Sequence, residues 1–356
     1  MRATFFSISL IALVLLYSGL PPASPTPLRI SYPAGFGNRI SIPADNPTTV
    51  EGVALGRMLF YETALSVNDK FSCGSCHQQS RAFTDGKQFS EGVDGVTQPR
   101  NTMALVNLLW VRQFFWDGRT RGLEDQVTIP MTGVHEMGQS LERSSGKLRK
   151  LKTYAVLFEK AFGSPLINEK RIRQALAQFQ RTLVSADSRY DRYLAGTYRP
   201  TASELNGTRL FYTNPDPSKG IRGAGCRGCH GGDKTYTEMY HNNGLDTAFA
   251  DQGRQGITGQ PQDAGRFRVV SLRNIALTAP YMHDGRFDSL SQVIDHYNRE
   301  MIQTPTLSPA LRSSNLPGGS SLGLTDREKK DLLAFLHMLT DSTFITNQQF
   351  ADPFNK

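Results

Sequence analysis

The sequence is poor in cysteine and nearly free of long apolar runs. Four cysteines in 356 residues allow at most two disulfides. The longest apolar run, from Phe5 to Leu16, lies at the N-terminus, and no later segment is long and apolar enough to cross a bilayer. The charge excess is a modest +8, without a Lys/Arg block or a stacking platform. We therefore expect no nucleic-acid partner, and the charge instead suits docking of an acidic partner.

The composition and the order of residues at the N-terminus predict an exported globular protein. Apolar residues make up 38% and charged residues 20% of a chain long enough for two domains. Arg2 precedes the apolar run, and a Pro-rich stretch follows it from Pro21. This order predicts a signal peptide over residues 1–23, with an uncleaved N-terminal anchor as the alternative. We expect a periplasmic protein, either free or tethered by its N-terminus.

The four cysteines fall into two identical patterns. Cys73 and Cys76 precede His77, and Cys226 and Cys229 precede His230, so both segments are C-x-x-C-H. This pattern is the covalent attachment site of c-type haem, in which the histidine is the proximal iron ligand. An exported chain could instead use four cysteines for two disulfides, a thiol redox pair or a zinc site. Those alternatives leave the two histidines unexplained, so the sequence predicts two covalent haem c groups.

An internal repeat surrounds the two motifs. Gly56–Tyr61 and Gly207–Tyr212 are similar segments that each precede a haem motif. Six later identities share one offset of 167 residues. They pair Leu105, Asn107, Asp117, Gly118, Arg119 and Leu123 with Leu272, Asn274, Asp284, Gly285, Arg286 and Leu290. The repeat predicts two related haem domains.

The predicted fold is mainly α, with two cytochrome-c-like haem domains in tandem and the haems near the domain interface. We place the N-terminal haem domain at 24–195 and the C-terminal haem domain at 196–356. Capping boxes are predicted at three places, and residues 304–324 are predicted as a surface loop. The predicted capping boxes are Thr48/Glu51, Thr201/Glu204 and Thr325/Glu328. Two helices are predicted to bury an apolar stripe. The residues of the two stripes are Ile172, Leu176, Phe179 and Leu183, and Leu332, Leu333, Phe335, Leu336 and Leu339.

The chemistry differs between matched positions of the repeat. The pairs are Trp116 and His283, Gln126 and Val293, Pro130 and Tyr297, and Glu136 and Gln303. If distal ligands come from matched places, the first haem faces Pro130, which cannot bind iron. An open sixth position can bind a small molecule such as peroxide, whereas a closed one only transfers electrons. The first haem is therefore the predicted reaction centre and the second the predicted relay.

Glu136 is the predicted acid/base group. Cleavage of a peroxide O–O bond needs a proton moved between the two oxygens, and a carboxyl group near the iron can move it. Gln126 could hold the bound water or peroxide. Two alternatives stay open at this point: Glu136 is a solvated surface charge, or His135 beside it is a distal ligand.

The sequence resembles the bacterial diheme cytochrome c peroxidase family, in its MauG-like branch, from about residue 45 to 340. The motifs that carry the resemblance are Cys73–His77, Pro99–Asn101, Phe115–Arg119, Leu123–Gln126, Glu136–Met137, Cys226–His230 and Pro280–Gly285. The resemblance implies that the N-terminal haem binds peroxide, that Glu136 is the acid/base residue and that Gln126 lines the same pocket. It also implies that Trp116 carries electrons between the haems.

The resemblance further implies a calcium ion between the domains, bound by the Asn101 side chain and the carbonyls of Thr278 and Pro280. Oxygen ligands suit that cation. Tyr297 stands where one group of the family has a methionine ligand, so the resemblance implies His/Tyr ligation of the second haem. Met282 and Met301 are the alternative ligands, and His283 is expected to support the haem pocket.

Two enzyme functions follow. The first is reduction of hydrogen peroxide to water with electrons from a small carrier, a cytochrome c or a cupredoxin. The second is a MauG-like oxidase that uses peroxide to modify Trp or Tyr side chains of a partner protein. A diheme electron carrier that does not react with peroxide is the non-enzyme alternative. The sequence leaves the oligomeric state open, with a homodimer as one option.

Overall fold

The computed structural model describes residues 24–319 and 321–355, so the predicted signal peptide or anchor lies outside the described residues. The chain is mainly helical, as predicted. The α-helices are α1 Val50–Tyr61, α2 Cys73–Cys76, α3 Leu123–Gln126, α4 Thr128–Thr132, α5 Leu141–Lys150, α6 Lys152–Phe162, α7 Glu169–Thr182, α8 Arg189–Leu194, α9 Ala202–Tyr212, α10 Gln255–Thr258, α11 Leu290–Asp295, α12 Asp326–Met338 and α13 Ser342–Thr346.

Short turns of other helix types connect these elements. The 3₁₀ turns are Ala34–Phe36, Thr63–Leu65, Gln79–Arg81, Leu108–Trp110, Pro217–Lys219, Cys226–Gly228, Pro261–Asp263, Ile275–Leu277 and Pro309–Arg312. A π-helical turn, His296–Glu300, continues directly from α11. Turns of this type are rare and are often found at functional sites.

Two small antiparallel ribbons complete the secondary structure of the described residues. Strand β1, Gln113–Phe114, pairs with β2, Thr120–Arg121, so that residues 115–119 form the tip of a hairpin. Strand β3, Tyr240–His241, pairs with β4, Phe267–Arg268. The two ribbons meet, because the Arg268 N–H donates to the Trp116 carbonyl at 2.7 Å. The hairpin tip of the N-terminal half therefore lies against the C-terminal half.

The helix starts follow local capping chemistry. The predicted boxes Thr201/Glu204 and Thr325/Glu328 open α9 and α12. The box predicted at Thr48 is wrong, since Thr49 caps α1 and accepts from the Gly52 N–H. The Glu51 carboxylate instead accepts from the N–H and hydroxyl of Thr26, at 2.8 and 2.9 Å. Glu51, in the first turn of α1, therefore binds a residue 25 positions away instead of a residue of its own turn.

Each half is built on a packed helix pair, α1 with α7 and α9 with α12. The predicted stripe on α7 is confirmed, because Ile172, Leu176, Phe179 and Leu183 are fully buried. On α12, Phe335 and Leu339 are fully buried and Leu333 only partly. Burial of each such side chain is worth about 1.5–3 kcal/mol. These two pairs form the cores on which the haem motifs are placed.

The backbone repeats with the same 167-residue offset as the sequence. Asn107 and Asn274 both have positive φ, as do Phe115 and Met282, and Gly118 and Gly285. The Asn107 N–H donates to the Leu183 carbonyl, and the Asn274 N–H to the Leu339 carbonyl, each at 2.9 Å. Both asparagines thus dock a left-handed turn against the end of the second helix of the pair. The tandem arrangement of two related halves is confirmed.

Residues 304–324 form an irregular segment, as predicted, but part of it is buried. Leu307 and Ser308 are each 2% exposed, and Asn315 is also buried. The Asn315 amide donates to the carbonyls of Gly223 and Leu322, at 2.8 and 2.7 Å. The expectation of a surface loop is therefore only partly right, because polar side chains satisfy the buried backbone of this segment.

The C-terminal end of the described chain crosses over to the N-terminal half, and a segment near the N-terminal end touches the C-terminal half. Residues 30–42, the strap, place Phe36 beside Lys234 and Arg273, with the Arg273 guanidinium 5.2 Å from the Phe36 ring. Residues 342–355, the tail, bury Phe344 and Phe350 in the N-terminal core. The Tyr61 hydroxyl donates to the Phe350 carbonyl at 2.7 Å. The tail therefore completes the core of the N-terminal half, whereas the strap buries Phe36 against Leu109 and Trp110 of its own half.

Among the described residues, the structure has no helix whose length and apolar character would let it span a membrane.

Candidate functional site

The first C-x-x-C-H motif forms the single helical turn α2 and the residue after it. The His77 imidazole donates from Nδ1 to the Phe83 carbonyl at 2.8 Å, because a carbonyl can only accept. Ala82 and Phe83 both have positive φ, which folds this carbonyl back over the ring. Burial also lowers the pKa of His77. A neutral ring held through Nδ1 leaves Nε2 free to bind iron.

Glu136 lies near this motif on a short loop after α4. The loop is fixed by hydrogen bonds from the Glu136 N–H to the Gly133 carbonyl and from the Val93 N–H to the Glu136 carbonyl, each 2.9 Å. Burial raises the pKa of Cys73 to about 12 and of Cys76 to about 11, and the Glu136 charge adds to both shifts. The carboxyl therefore lies within electrostatic range of both thiols that would attach the first haem.

The pKa of the Glu136 carboxyl is shifted from its ordinary value. Burial raises its pKa above the ordinary value, and the positive charge of Arg119 acts in the opposite direction. Arg119 is held in place by Asp117, with Nη1 3.0 Å from Oδ2, and by the Phe115 ring, 3.7 Å from its guanidinium carbon. A raised pKa brings a carboxyl closer to neutral pH, where it can both accept and return a proton.

Gln126 is the last residue of α3. Helix α3 is anchored to α7, because the buried Arg181 donates to both carboxylate oxygens of Glu124 at 2.6 and 2.7 Å. The Gln126 side chain is partly buried and makes no hydrogen bond to any described residue. Pro130 lies within α4 and offers no side-chain donor or acceptor. The side chain of Gln126 is thus available to a small polar ligand.

Trp116 sits at the tip of the β1–β2 hairpin, between the two halves. Its Nε1–H donates to the Asn101 carbonyl at 2.9 Å, and the Asn101 N–H donates to the His283 carbonyl at 2.7 Å. Asp117 fixes the turn by accepting from Arg100 at 2.5 Å. A continuous run of hydrogen bonds therefore joins the indole of the first half to the backbone of the second.

The second C-x-x-C-H motif opens into a cavity of about 300 Å³, at the lower end of the range for cofactor pockets, about 300–1,000 Å³. His230 donates from Nδ1 to the Val270 carbonyl at 3.1 Å. Burial lowers the pKa of His230 to about 4, so the ring is neutral. Cys226, Cys229, His230 and Trp116 all line the cavity.

Unpaired polar atoms around this cavity show that the residues fit a haem. The Tyr236 hydroxyl, His241 Nε2 and Arg273 Nε are buried without a hydrogen-bond partner among the described residues. All three residues line the cavity, together with Lys234 and Arg268. Buried polar groups are normally paired, and a haem carries two carboxylates. The donors present match that charge, and the four cysteines are free thiols rather than disulfides.

Tyr297 lies in the π-helical turn and also lines the cavity. Burial raises the pKa of its hydroxyl to about 12, while a hydrogen bond from Asn243 lowers it. The Asn243 Nδ2 is 3.3 Å from the Tyr297 hydroxyl and 3.4 Å from Met282 Sδ. Met301 lines the same cavity. The structure therefore brings the predicted ligand and both of its predicted competitors to one cavity.

His283 lies in the wall of this cavity and of a second one. Its ring stacks on Phe267 at 3.7 Å between centroids, and both residues also line a neighbouring cavity of about 220 Å³.

The three residues expected to bind calcium, Asn101, Thr278 and Pro280, line the 300 Å³ cavity. The Asn101 amide nitrogen donates to the carbonyls of Lys87 and Gln88, at 2.9 and 3.2 Å. This arrangement leaves its Oδ1 for another partner.

His135, the alternative distal ligand, is turned outward. Its Nδ1 is 2.7 Å from an Asp94 carboxylate oxygen, and 57% of the side chain is exposed. The side chain is thus engaged at the surface, on the rim of the Glu136 loop.

Sequence reasoning missed the roles of four residues that the structure brings to these sites. Arg119 belongs to the repeated Asp-Gly-Arg motif, which was the available signal for it. Tyr236 and His241 became visible only as buried atoms without partners. Asn243 carried no signal, because its contacts lie 39 and 54 residues away along the chain.

Comparison with known proteins agrees with this geometry. Residues 50–199 match the family described as di-haem cytochrome c peroxidase. The chain is 33% identical to the methylamine utilization protein MauG of Methylophilus methylotrophus, over 84% of this chain and 85% of that one. It is 34% identical to the cytochrome c551 peroxidase of Nitrosomonas europaea, over 72% and 76%.

A solved structure is also similar. It is described as a MauG-like protein associated with microbial copper homeostasis, with a TM-score of 0.78 and 37% identity over 89% of this chain and 97% of that one. The two haem-attachment motifs, the tandem helical halves and these relatives agree, and the chain belongs to the di-haem cytochrome c peroxidase family.

Proposed function

We propose that this protein is an oxidoreductase that reduces hydrogen peroxide to water at its N-terminal haem, with electrons relayed through its C-terminal haem. A bound haem supplies iron that can bind peroxide at an open position and exchange electrons. The observation that carries the proposal is the difference between the two sites. Glu136 lies close to the first motif, whereas Tyr297 lines the cavity of the second.

At the first site, the chain's own contribution is proton movement. In its ionised form the Glu136 carboxylate would accept a proton from one peroxide oxygen and return it to the other, which leaves as water when the O–O bond breaks. Two electrons from the carrier and two further protons convert the remaining oxygen to a second water. Its raised pKa favours the return step, and general acid–base catalysis of this kind contributes about 10²–10⁴ in rate. Gln126 has a free amide to orient the peroxide, and Pro130 provides no ligand that would compete with it.

Between the sites, the proposed electron path runs through Trp116. Its indole lines the cavity of the second motif. The indole N–H donates to the Asn101 carbonyl, and the Asn101 N–H donates to the His283 carbonyl. The calcium ion, bound by Asn101, Thr278 and Pro280, would stabilise this junction, since Asn101 belongs both to the path and to the ion's ligands. His77, His230 and Tyr297 are the proposed protein ligands of the two haem irons.

The second candidate function is oxidation of Trp or Tyr side chains in a partner protein, again with peroxide. The observation that favours it is Tyr297 in the second cavity in place of methionine, together with the relatives named as MauG and MauG-like. In this case the electrons come from the partner protein instead of from a cytochrome c or cupredoxin.

We also propose that the boundary between the two domains lies near residue 195. The protein would be exported through its N-terminus and would act in the periplasm.

The test is the spectrum of the oxidised, haem-loaded protein with and without stoichiometric peroxide. We expect a high-spin ferric signal that changes on peroxide addition without prior reduction. Two low-spin signals that ignore peroxide would contradict both enzyme functions and would indicate an electron carrier.

A second assay separates the two enzymes. Turnover of peroxide with reduced cytochrome c or a cupredoxin supports the peroxidase. No oxidation of either carrier, combined with a mass increase or crosslink in a protein encoded nearby, supports the protein-modifying oxidase. Trp116→Phe is the matched variant for both assays, since it removes the Nε1–H bond to Asn101 but keeps an aromatic ring. We expect it to slow electron delivery and to leave the initial reaction with peroxide intact.

A further inference from the structure

The segment Asn242–Gly244 is firmly anchored in the wall between the two cavities of the C-terminal half. It follows β3, and Asn243 lines both cavities. The Asn242 carbonyl accepts from the Ser308 N–H at 3.0 Å, and the Gly244 carbonyl accepts from the Ile302 N–H at 2.8 Å. Anchors on both sides of Asn243 leave its position little freedom.

Asn243 holds the π-helical turn at two points. Its main-chain carbonyl lies 2.9 Å from His296 Nε2, which must therefore be the donor. Its side-chain nitrogen donates to the Tyr297 hydroxyl at 3.3 Å. One residue thus contacts two successive side chains of the turn, and the contact to Tyr297 fixes where its oxygen lies in the cavity.

The same amide nitrogen also contacts a competing side chain. Met282 Sδ accepts from Asn243 Nδ2 at 3.4 Å. An amide carries two N–H groups, so it can donate to the phenol oxygen and to the thioether at once. A sulfur that accepts this bond has one of its two lone pairs directed at the amide, and the bond holds the thioether beside Asn243.

We propose that Asn243 is the positioning residue that selects Tyr297 over Met282 as the side chain facing the second haem iron. This inference rests on the proposed function, in which Tyr297 is that ligand. Residues one contact away from a metal orient its ligands and tune the metal, and Asn243 does so for the chosen ligand and for the rejected one. It thereby keeps the second haem in its His/Tyr form.

The test compares variants that change only the side-chain contact. Asn243→Leu removes the donor, and Asn243→Asp keeps the shape but has no N–H to donate; both retain the main-chain carbonyl bonded to His296. The readouts are the near-infrared thioether-to-iron band of the ferric protein and the midpoint potential of the second haem. Far-UV circular dichroism verifies that each variant is folded.

We expect a thioether band to appear in both variants. In Asn243→Leu we also expect a rise in midpoint potential, because methionine ligation raises the potential of a c-type haem; in Asn243→Asp the added negative charge opposes that rise, and the band is the readout. Adding Met282→Leu should abolish the new band. The inference is overturned if folded variants keep the parent spectrum and potential, or if the band survives Met282→Leu and so comes from Met301.

Two controls separate this inference from the proposed function. If Tyr297→Phe leaves the spectrum of the second haem unchanged, tyrosine is not its ligand, and both the ligand assignment and the role of Asn243 fall. If instead the Asn243 variants shift as expected but the parent protein fails to turn over peroxide, the peroxidase proposal fails and the selection by Asn243 stands.

Discussion

At the scale of single residues, the most informative group is the Glu136 carboxyl. Burial and the Arg119 charge act on its pKa in opposite directions, and burial prevails. A carboxyl that must be ionised to accept a proton from peroxide loses its function as the pH falls through its pKa. Because that pKa is raised, the loss occurs at higher pH than for an ordinary glutamate, whose pKa is about 4.3.

We therefore expect Glu136→Gln to slow the reaction with peroxide by about 10²–10⁴ and to remove the acidic limb of the pH profile. Stopped-flow kinetics of the ferric protein with peroxide, over a range of pH, measure both effects. The haem spectra of the variant should stay close to those of the parent. A variant that keeps the parent rate would exclude the acid/base role.

Arg119 provides a second, independent prediction. Its positive charge lowers the Glu136 pKa, so Arg119→Leu should move the acidic limb of the same pH profile to higher pH. Arg119→Lys is the matched control, because it keeps the charge and should leave the limb nearly in place. An identical shift in both variants would mean that the loop geometry, and not the charge, sets the pKa.

Residue identity alone predicted part of these sites. The C-x-x-C-H motifs predicted His77 and His230 as the proximal haem ligands, because the attachment cysteines and the ligand histidine lie within five consecutive residues. The 167-residue repeat drew attention to Glu136 and Tyr297 by contrast with their matched positions. Asn243 could not be found in this way, because it has no distinctive neighbours in the sequence and acts only through contacts made after folding.

At the scale of elements, the two helix pairs depend on glycine at matched positions. A Cβ on Gly56 would lie 2.0 Å from the Ala175 carbonyl oxygen, and one on Gly207 would lie 1.8 Å from the Asp331 carbonyl oxygen. The helices of each pair therefore cross with backbone against backbone. This explains why glycine opens both similar segments, Gly56–Tyr61 and Gly207–Tyr212.

We expect Gly207→Ala to lower the free energy of unfolding by about 1–3 kcal/mol, the usual range for overpacking a close contact. Gly146→Ala is the control, because Gly146 lies in helix α5 and a Cβ there has no other atom within 4 Å. That variant should gain up to about 1 kcal/mol from helix propensity. Urea denaturation of the two proteins should separate them clearly, and equal stability would argue against the close crossing.

Element boundaries were predictable where the capping chemistry was local. Thr201 and Thr325 each have their glutamate partner three residues on, and both predicted helix starts were right. The start at Thr48 was off by one residue, because Glu51 binds Thr26 rather than a residue of its own turn. A pattern over four residues cannot reveal a partner 25 residues away.

At the scale of the whole molecule, the tail links the end of the C-terminal half to the core of the N-terminal half. Phe344 of the tail lies 5.5 Å from the ring of Phe83, whose carbonyl accepts from His77. The tail thus completes the core directly beneath the first haem motif. No sequence pattern indicated this contact, since the two rings are far apart along the chain.

We expect Phe344→Ala to reduce stability by about 3–5 kcal/mol, as for other buried aromatic side chains, and to disturb the spectrum of the first haem more than that of the second. Phe354, in the same tail but 48% exposed, is the control, and Phe354→Ala should change stability by less than about 0.5 kcal/mol. Thermal unfolding and the ferric spectra provide the measurements. A Phe344→Ala protein as stable as the parent would show that the tail is dispensable.

The position of the tail also bears on how such a chain could be divided. A cut at the midpoint of the repeat would leave the N-terminal fragment without the tail that buries Phe344 and Phe350 in its core. The internal repeat is still visible in the matched turns and helices, yet the first of its two units owes part of its core to the last residues of the chain. Proteolytic trimming of that short segment would thus reach the packing beneath the first haem motif without cutting either helix pair.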